Sequence, residues 1–158
     1  MPLPPQIVTH SQSAFEQLLE HQSQAISTWP EPLIDDLKRV LGLSCFVGDC
    51  LQRDTILSST LPDMLACEER AEAYRERLAE LLSGCTDEMS GQRVLRQFRN
   101  REMTYIAWRD FMGSWDLEQS LNHLSMLAEA MIFETYQWKY DICCKEWGTP
   151  CNEQGEAQ

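Results

Sequence analysis

Basic side chains are scarce in this sequence: 13 Lys and Arg stand against 25 Asp and Glu, for a formal net charge of −12. Phosphate backbones and anionic membrane surfaces recruit proteins through clustered cations, so neither nucleic acid nor membrane is expected as a partner. Long apolar runs are missing too, and none approaches the roughly 18 to 20 residues that cross a bilayer. The start, Met1-Pro2-Leu3-Pro4-Pro5, lacks the basic lead and apolar stretch of a secretory signal. Glycine is sparse and never doubled. With no Gly-x-Gly-x-x-Gly and no lysine loop of the Walker type, nothing here can cradle a phosphate. No Asp-x-Asp pair could hold two magnesium ions, and no Gly-x-Ser-x-Gly elbow presents a nucleophile. Catalytic, cofactor-binding and metal-binding residues are therefore all expected to be none within this chain.

Valine and isoleucine are few and never alternate, which leaves no credible strand and predicts an all-α fold. The seven cysteines (Cys45, Cys50, Cys67, Cys85, Cys143, Cys144 and Cys151) form an odd set without a repeating spacing, read as reduced thiols of a cytoplasmic protein. Zinc is not expected at Cys143, Cys144 and Cys151. Neighbouring helix positions point apart, and His10, His21 and His123 are distant in sequence.

The apolar spacing predicts helices almost throughout. Ser13-Ala14-Phe15-Glu16 has the form of a capping box, after which Phe15, Leu18, Leu19, Gln22 and Ile26 share a face. Beyond Pro30-Glu31-Pro32, the residues Leu33, Ile34, Leu37, Val40 and Leu41 mark a second helix, with Gly42 as its stop. Residues 44–61 are less regular, with Phe46, Val47, Cys50 and Leu51 as candidates for one buried side. Residues 67–82 read as one helix whose stripe is Cys67, Ala71, Tyr74, Leu78, Leu81 and Leu82, ended by Gly84. A long helix should start between Asp87 and Gln92 and reach Met112. After Gly113-Ser114, Asp116 caps a last helix in which Leu117, Leu121, Leu124, Ala128, Met131 and Thr135 keep helical spacing almost to Trp147.

Two long helices joined by so short a link are expected to run antiparallel. Residues 90–147 would then form a long-helix hairpin with several shorter helices packed on it. The domain reading is a helical subdomain over 1–147, its first twelve residues a candidate disordered lead, and a linker over 148–158.

One feature is out of keeping with the acidic composition. Arg93, Arg96, Arg99, Arg101 and Arg109 crowd into a single helix. They are the candidate docking residues, because arginine forks bind carboxylates in bidentate fashion. The competing expectation is that they pair internally with Asp and Glu of adjacent helices. Trp108, Trp115, Trp138 and Trp147 sit on strong helical patterns and are expected to pack between helices.

Four motifs in order carry a resemblance. They are Leu95-Arg96-Gln97-Phe98-Arg99-Asn100-Arg101-Glu102-Met103, Ile106-Ala107-Trp108-Arg109-Asp110, Leu124-Ser125-Met126-Leu127-Ala128-Glu129 and Cys144-Lys145-Glu146-Trp147-Gly148-Thr149-Pro150. Together they resemble the N-terminal signature of the glutamate–ammonia-ligase (glutamine synthetase) adenylyltransferases. The similarity is dense over residues 94–158 and thinner before them, where Ser44, Phe46, Val47 and Asp49 echo the family. Where the family usually has arginine at the positions of Asn100 and, often, Tyr105, the basic stripe here is thinner.

The resemblance implies the N-terminal helical scaffold of an enzyme that adds AMP to glutamine synthetase and removes it by phosphorolysis. The segment would open the AMP-removing half, with 148–158 leading toward a nucleotidyltransferase domain. Magnesium and ATP or ADP are implied for the full-length enzyme, and glutamine synthetase, a PII signalling protein and the rest of the same polypeptide as partners. The alternative is a self-standing helical protein–protein interaction module.

Overall fold

The computed structural model describes residues 4–67 and 73–155. Among them there are seven helices and no strand: α1 Pro5–Ile26, α2 Glu31–Leu43, α3 Cys45–Arg53, α4 Thr55–Ala66, α5 Tyr74–Ser83, α6 Glu88–Phe111 and α7 Leu117–Trp147. The all-α expectation holds. The chain divides into two compact units, the first made of Met1–Arg70 and Asn100–Leu124, the second of Ala71–Arg99 and Ser125–Gln158.

In the first unit, α1 starts well before the anticipated capping box. Pro5 occupies its first turn, where a missing N–H is harmless and φ is already helical, so Ser13 lies inside the helix and caps nothing. Leu18, Gln22 and Ile26 are buried along it. At Gln22 the backbone leaves the helical region (φ −129°, ψ 22°), and the side-chain amide donates to the Gln52 carbonyl at 2.9 Å and to Thr55 Oγ1 at 3.3 Å.

Gly42 does not stop α2 but lies within it. A Cβ there would sit 2.9 Å from Ile7 Cγ2 and 3.1 Å from Ser11 Cβ, so the glycine permits α1 and α2 to approach closely. The Ser11 hydroxyl donates to the Lys38 carbonyl at the same contact.

Residues 44–61, irregular in sequence, are two short helices each opened by a side-chain cap. Ser44 accepts the Val47 N–H at 3.4 Å, and Asp54 accepts the Leu57 N–H at 2.9 Å. Val47, Cys50 and Leu51 are buried as expected, whereas Phe46 is exposed. Pro62 falls inside α4 and cannot donate to the carbonyl four residues back, that of Ser58. The Trp29 indole N–H takes that buried carbonyl at 2.8 Å, and the Trp29 ring lies 5.9 Å from that of Trp108. A helix-breaking residue is thereby accommodated without an unsatisfied acceptor.

The stripe anticipated over 67–82 is only partly right. Cys67 is exposed and outside any helix, and Ala71 lies outside the described residues. Tyr74, Leu78 and Leu82 are buried on α5, but Leu81 is exposed. Gly84 follows the helix as expected, and Asp87 caps α6 by accepting the Ser90 N–H at 2.9 Å. Gly91 meets Trp138 so closely that a Cβ would fall 2.0 Å from the indole Cη2.

Between α6 and α7, within the first unit, Gly113 adopts φ +67°, which an L side chain rarely tolerates. Asp116 and Gln119 then cap α7 reciprocally: Asp116 Oδ1 accepts the Gln119 N–H at 2.8 Å, and Gln119 Oε1 accepts the Asp116 N–H at 3.0 Å. The face of α7 picked out by its leucines is not the buried one. Leu117 and Leu121 are exposed, while Ser120, Leu127, Ala130, Glu134 and Trp138 are buried. This helix carries apolar residues on more than one side, so spacing alone could not choose its inner face.

Candidate functional site

The five arginines of α6 have two different fates. Arg101 and Arg109 belong to the first unit and are built into it. Arg101 forms a fork with Asp54, Nε to Oδ2 at 2.8 Å and a terminal nitrogen to Oδ1 at 3.1 Å, and both side chains are largely buried. Asp54 is also the cap of α4, so one carboxylate serves a helix start and a guanidinium together. Burial by itself would raise the proton affinity of Asp54. Hydrogen bonds from Arg101 and the Leu57 N–H, with the Arg101 charge and the Ile56 N–H, outweigh it and hold the carboxyl below its ordinary 3.8.

Eight residues further along the helix, Arg109 donates to the Leu65 carbonyl in the last turn of α4 and lies 5.4 Å from the Tyr105 ring centre. Tyr105 donates its hydroxyl to the Cys67 carbonyl at 3.0 Å. Residues 101, 105 and 109 share one face of α6. That face therefore grips α4 at both ends, with a cation near its terminal carbonyls, where the helix dipole favours one. Internal pairing with a carboxylate thus describes Arg101, whereas Arg109 is held by a backbone carbonyl.

Arg93, Arg96 and Arg99 lie on the second unit's part of α6 and are exposed. Arg93 and Arg96 form no ion pair with any described residue. Elsewhere in this unit Arg75 pairs with Glu134 at 2.9 Å, its guanidinium 3.7 Å from the Phe133 ring centre, and Lys139 pairs with Glu88 at 3.1 Å.

The tryptophans divide similarly. Trp108 and Trp138 are buried, and Trp115 stacks on His123 at 3.8 Å with Tyr105 edge-on at 5.5 Å. Burial, reinforced by the Arg109 charge, pushes the His123 imidazole below its ordinary 6.5. Trp147, expected to pack between helices, is 80% exposed. All seven cysteines are free thiols, with Cys45 Sγ 3.6 Å from His10 Nε2. Among the described residues no three His, Cys, Asp or Glu side chains gather as a metal ion would require, and no helix is long and apolar enough to cross a membrane.

The model of one family, glutamate-ammonia ligase adenylyltransferase, matches residues 34–158. The chain belongs to that family. It is 54% identical over all 158 residues to the bifunctional glutamine synthetase adenylyltransferase/adenylyl-removing enzyme of Vibrio parahaemolyticus, of which it covers 16%. The protein of the same description from Shewanella loihica is 35% identical over 147 residues, 88% of this chain and 15% of that protein. The chain thus spans about one sixth of the length of the curated relatives it matches.

The adenylyltransferase match begins in α2, far ahead of the dense motifs on α6 and α7. Several motif residues of this family member have structural duties. Phe98 is buried edge-on against Tyr74 at 6.4 Å, and Trp108 and Leu127 are buried. Asp110 accepts the Ser120 hydroxyl at 2.8 Å, and Gly148 adopts φ +87° just after α7. What the sequence did not flag is the outward side of α7 from Ile132 to Trp147. Its signal was present as aromatic residues at three- and four-residue steps, opposite the helix's buried side.

Proposed function

We propose that this chain is the N-terminal helical scaffold of a bifunctional glutamine synthetase adenylyltransferase/adenylyl-removing enzyme, in the half that removes AMP by phosphorolysis, and that alone it is inactive. The observation that carries the reading is the family match over residues 34–158 in a chain amounting to about one sixth of its relatives. It is supported by the duties of the signature residues, whose arginines at 101 and 109 hold the two ends of α4.

Magnesium and ATP or ADP belong to the full-length enzyme in this reading. The described residues do not fit either group, having neither a clustered carboxylate set nor a glycine loop, and no chemical step is assigned to them. Glutamine synthetase, a PII signalling protein and the remaining polypeptide are the proposed partners, in the cytoplasm. Arg93 and Arg96 offer exposed cations to a carboxylate-bearing surface of one of them.

The test is phosphate-dependent release of ADP from adenylylated glutamine synthetase, measured with the 158-residue chain and with the full-length protein. The full-length protein should turn over and the short chain should not. Reproducible turnover by the short chain would sink the scaffold reading.

A further inference from the structure

The side of α7 opposite Leu127, Ala130, Glu134 and Trp138 is apolar, and it is exposed except at the half-buried Tyr140. Ile132, Tyr136, Tyr140, Cys143 and Trp147 follow one another at steps of four, four, three and four, which keeps them on one stripe of the helix. Ile132 is 72% exposed, Tyr136 64% and Trp147 80%. The Tyr136 and Tyr140 rings are already stacked, 6.0 Å apart and 27° from parallel. None of the five is charged. Tyr and Trp are the residues enriched at protein interfaces, and aligned large apolar groups are seldom left in water by a self-contained protein.

We propose that this stripe is the seat of another part of the longer family polypeptide. This rests on the scaffold reading above and adds to it the face that is used. The occupant follows from length. About five sixths of a relative lies outside the stretch that matches this chain, and a tethered segment acts at an effective concentration on the order of millimolar. A second copy or a separate protein must compete from its much lower free concentration. The stacked tyrosines lose little freedom on being covered, which favours a well-defined contact.

Cys143 lies on the stripe and is exposed, so it can report on coverage. The experiment is timed alkylation with a small maleimide and peptide mass analysis, applied to the 158-residue chain and to the full-length protein at low micromolar concentration. Modification of Cys143 is expected to be at least tenfold slower in the full-length protein. Tyr136→Asp in the full-length protein should restore the fast rate, and in the short chain should leave the melting temperature unchanged.

Equal rates in the short and full-length proteins would overturn the proposal. So would slow modification in both that speeds up on dilution, which assigns the stripe to a second copy. Slowing seen only after glutamine synthetase is added would assign it to that partner and likewise overturn it. A full-length Tyr136→Asp variant that stays slow would show that Cys143 is shielded by something other than this face. None of these rates depends on whether the short chain releases ADP, so failure of the docking face is distinguishable from failure of the scaffold reading.

Discussion

In the first unit the decisive polar side chains are wholly or largely buried and answer backbone groups of neighbouring helices, whereas in the second Arg75 reaches the buried Glu134 from a half-exposed position, the Glu88–Lys139 pair faces water, and close packing does more of the work. Asp54, Arg101, Trp29 and Gln22 each satisfy a carbonyl, an amide or one another where a helix starts, ends or bends. The Glu88–Lys139 pair is in the open, with side chains 62% and 41% exposed. Water screens such a pair, so it adds little stability. Changes of hydrogen bonding should therefore damage the first unit most, and changes of volume the second.

The sharpest way to break the first unit is Asp54→Ala, which removes a helix cap and strands the Arg101 guanidinium. A loss of about 3 kcal/mol in chemical unfolding is expected. A loss below about 1 kcal/mol would mean the pair is solvated and the contrast between the units overdrawn. In the second unit Gly91→Ala should cost about 1 to 3 kcal/mol, because its new methyl meets the Trp138 ring. Hydrogen exchange in the variant should rise over residues 125–147, and an unchanged pattern would count against tight packing there.

Trp29→Phe keeps most of the buried ring but leaves the Ser58 carbonyl without its indole donor, for an expected loss of about 1 to 2 kcal/mol in thermal unfolding. Acid should tell the units apart more gently. His123 has a lowered pKa, so the stability it supplies is present above 6.5 and is lost as pH falls through its folded value. Asp54 follows the same sign below 3.8. Hydrogen exchange should loosen in residues 100–124 before 125–147 on acidification, and the reverse order would remove the distinction. The smallest effect is expected for Arg96→Glu, less than about 1 kcal/mol, since this side chain is exposed. A large drop in melting temperature would reveal a buried partner.

The contrast also explains what the sequence disclosed. α6 and α7 were legible because a cap, a long pattern and a glycine coincide at their ends. Residues 44–61 were harder to read, since two helices under four turns each give no sustained periodicity and their caps, Ser44 and Asp54, are common residues. Gly42 looked like a stop because a glycine that accommodates a neighbouring helix and one that ends its own are identical letters. The arginine stripe was visible as a composition anomaly, but pairing with Asp54 and Leu65 depends on residues 47 and 44 positions away. The exposed side of α7 was hidden by a helix with apolar residues on several sides, where only burial reveals which side faces inward.

The proline of α4 and the tryptophan before α2 are coupled through a single oxygen. Pro62→Ala would give the Ser58 carbonyl its usual helical donor, which the indole would then have to share. Only the loss of the indole leaves that acceptor without a donor, so Pro62→Ala should recover part of what Trp29→Phe costs.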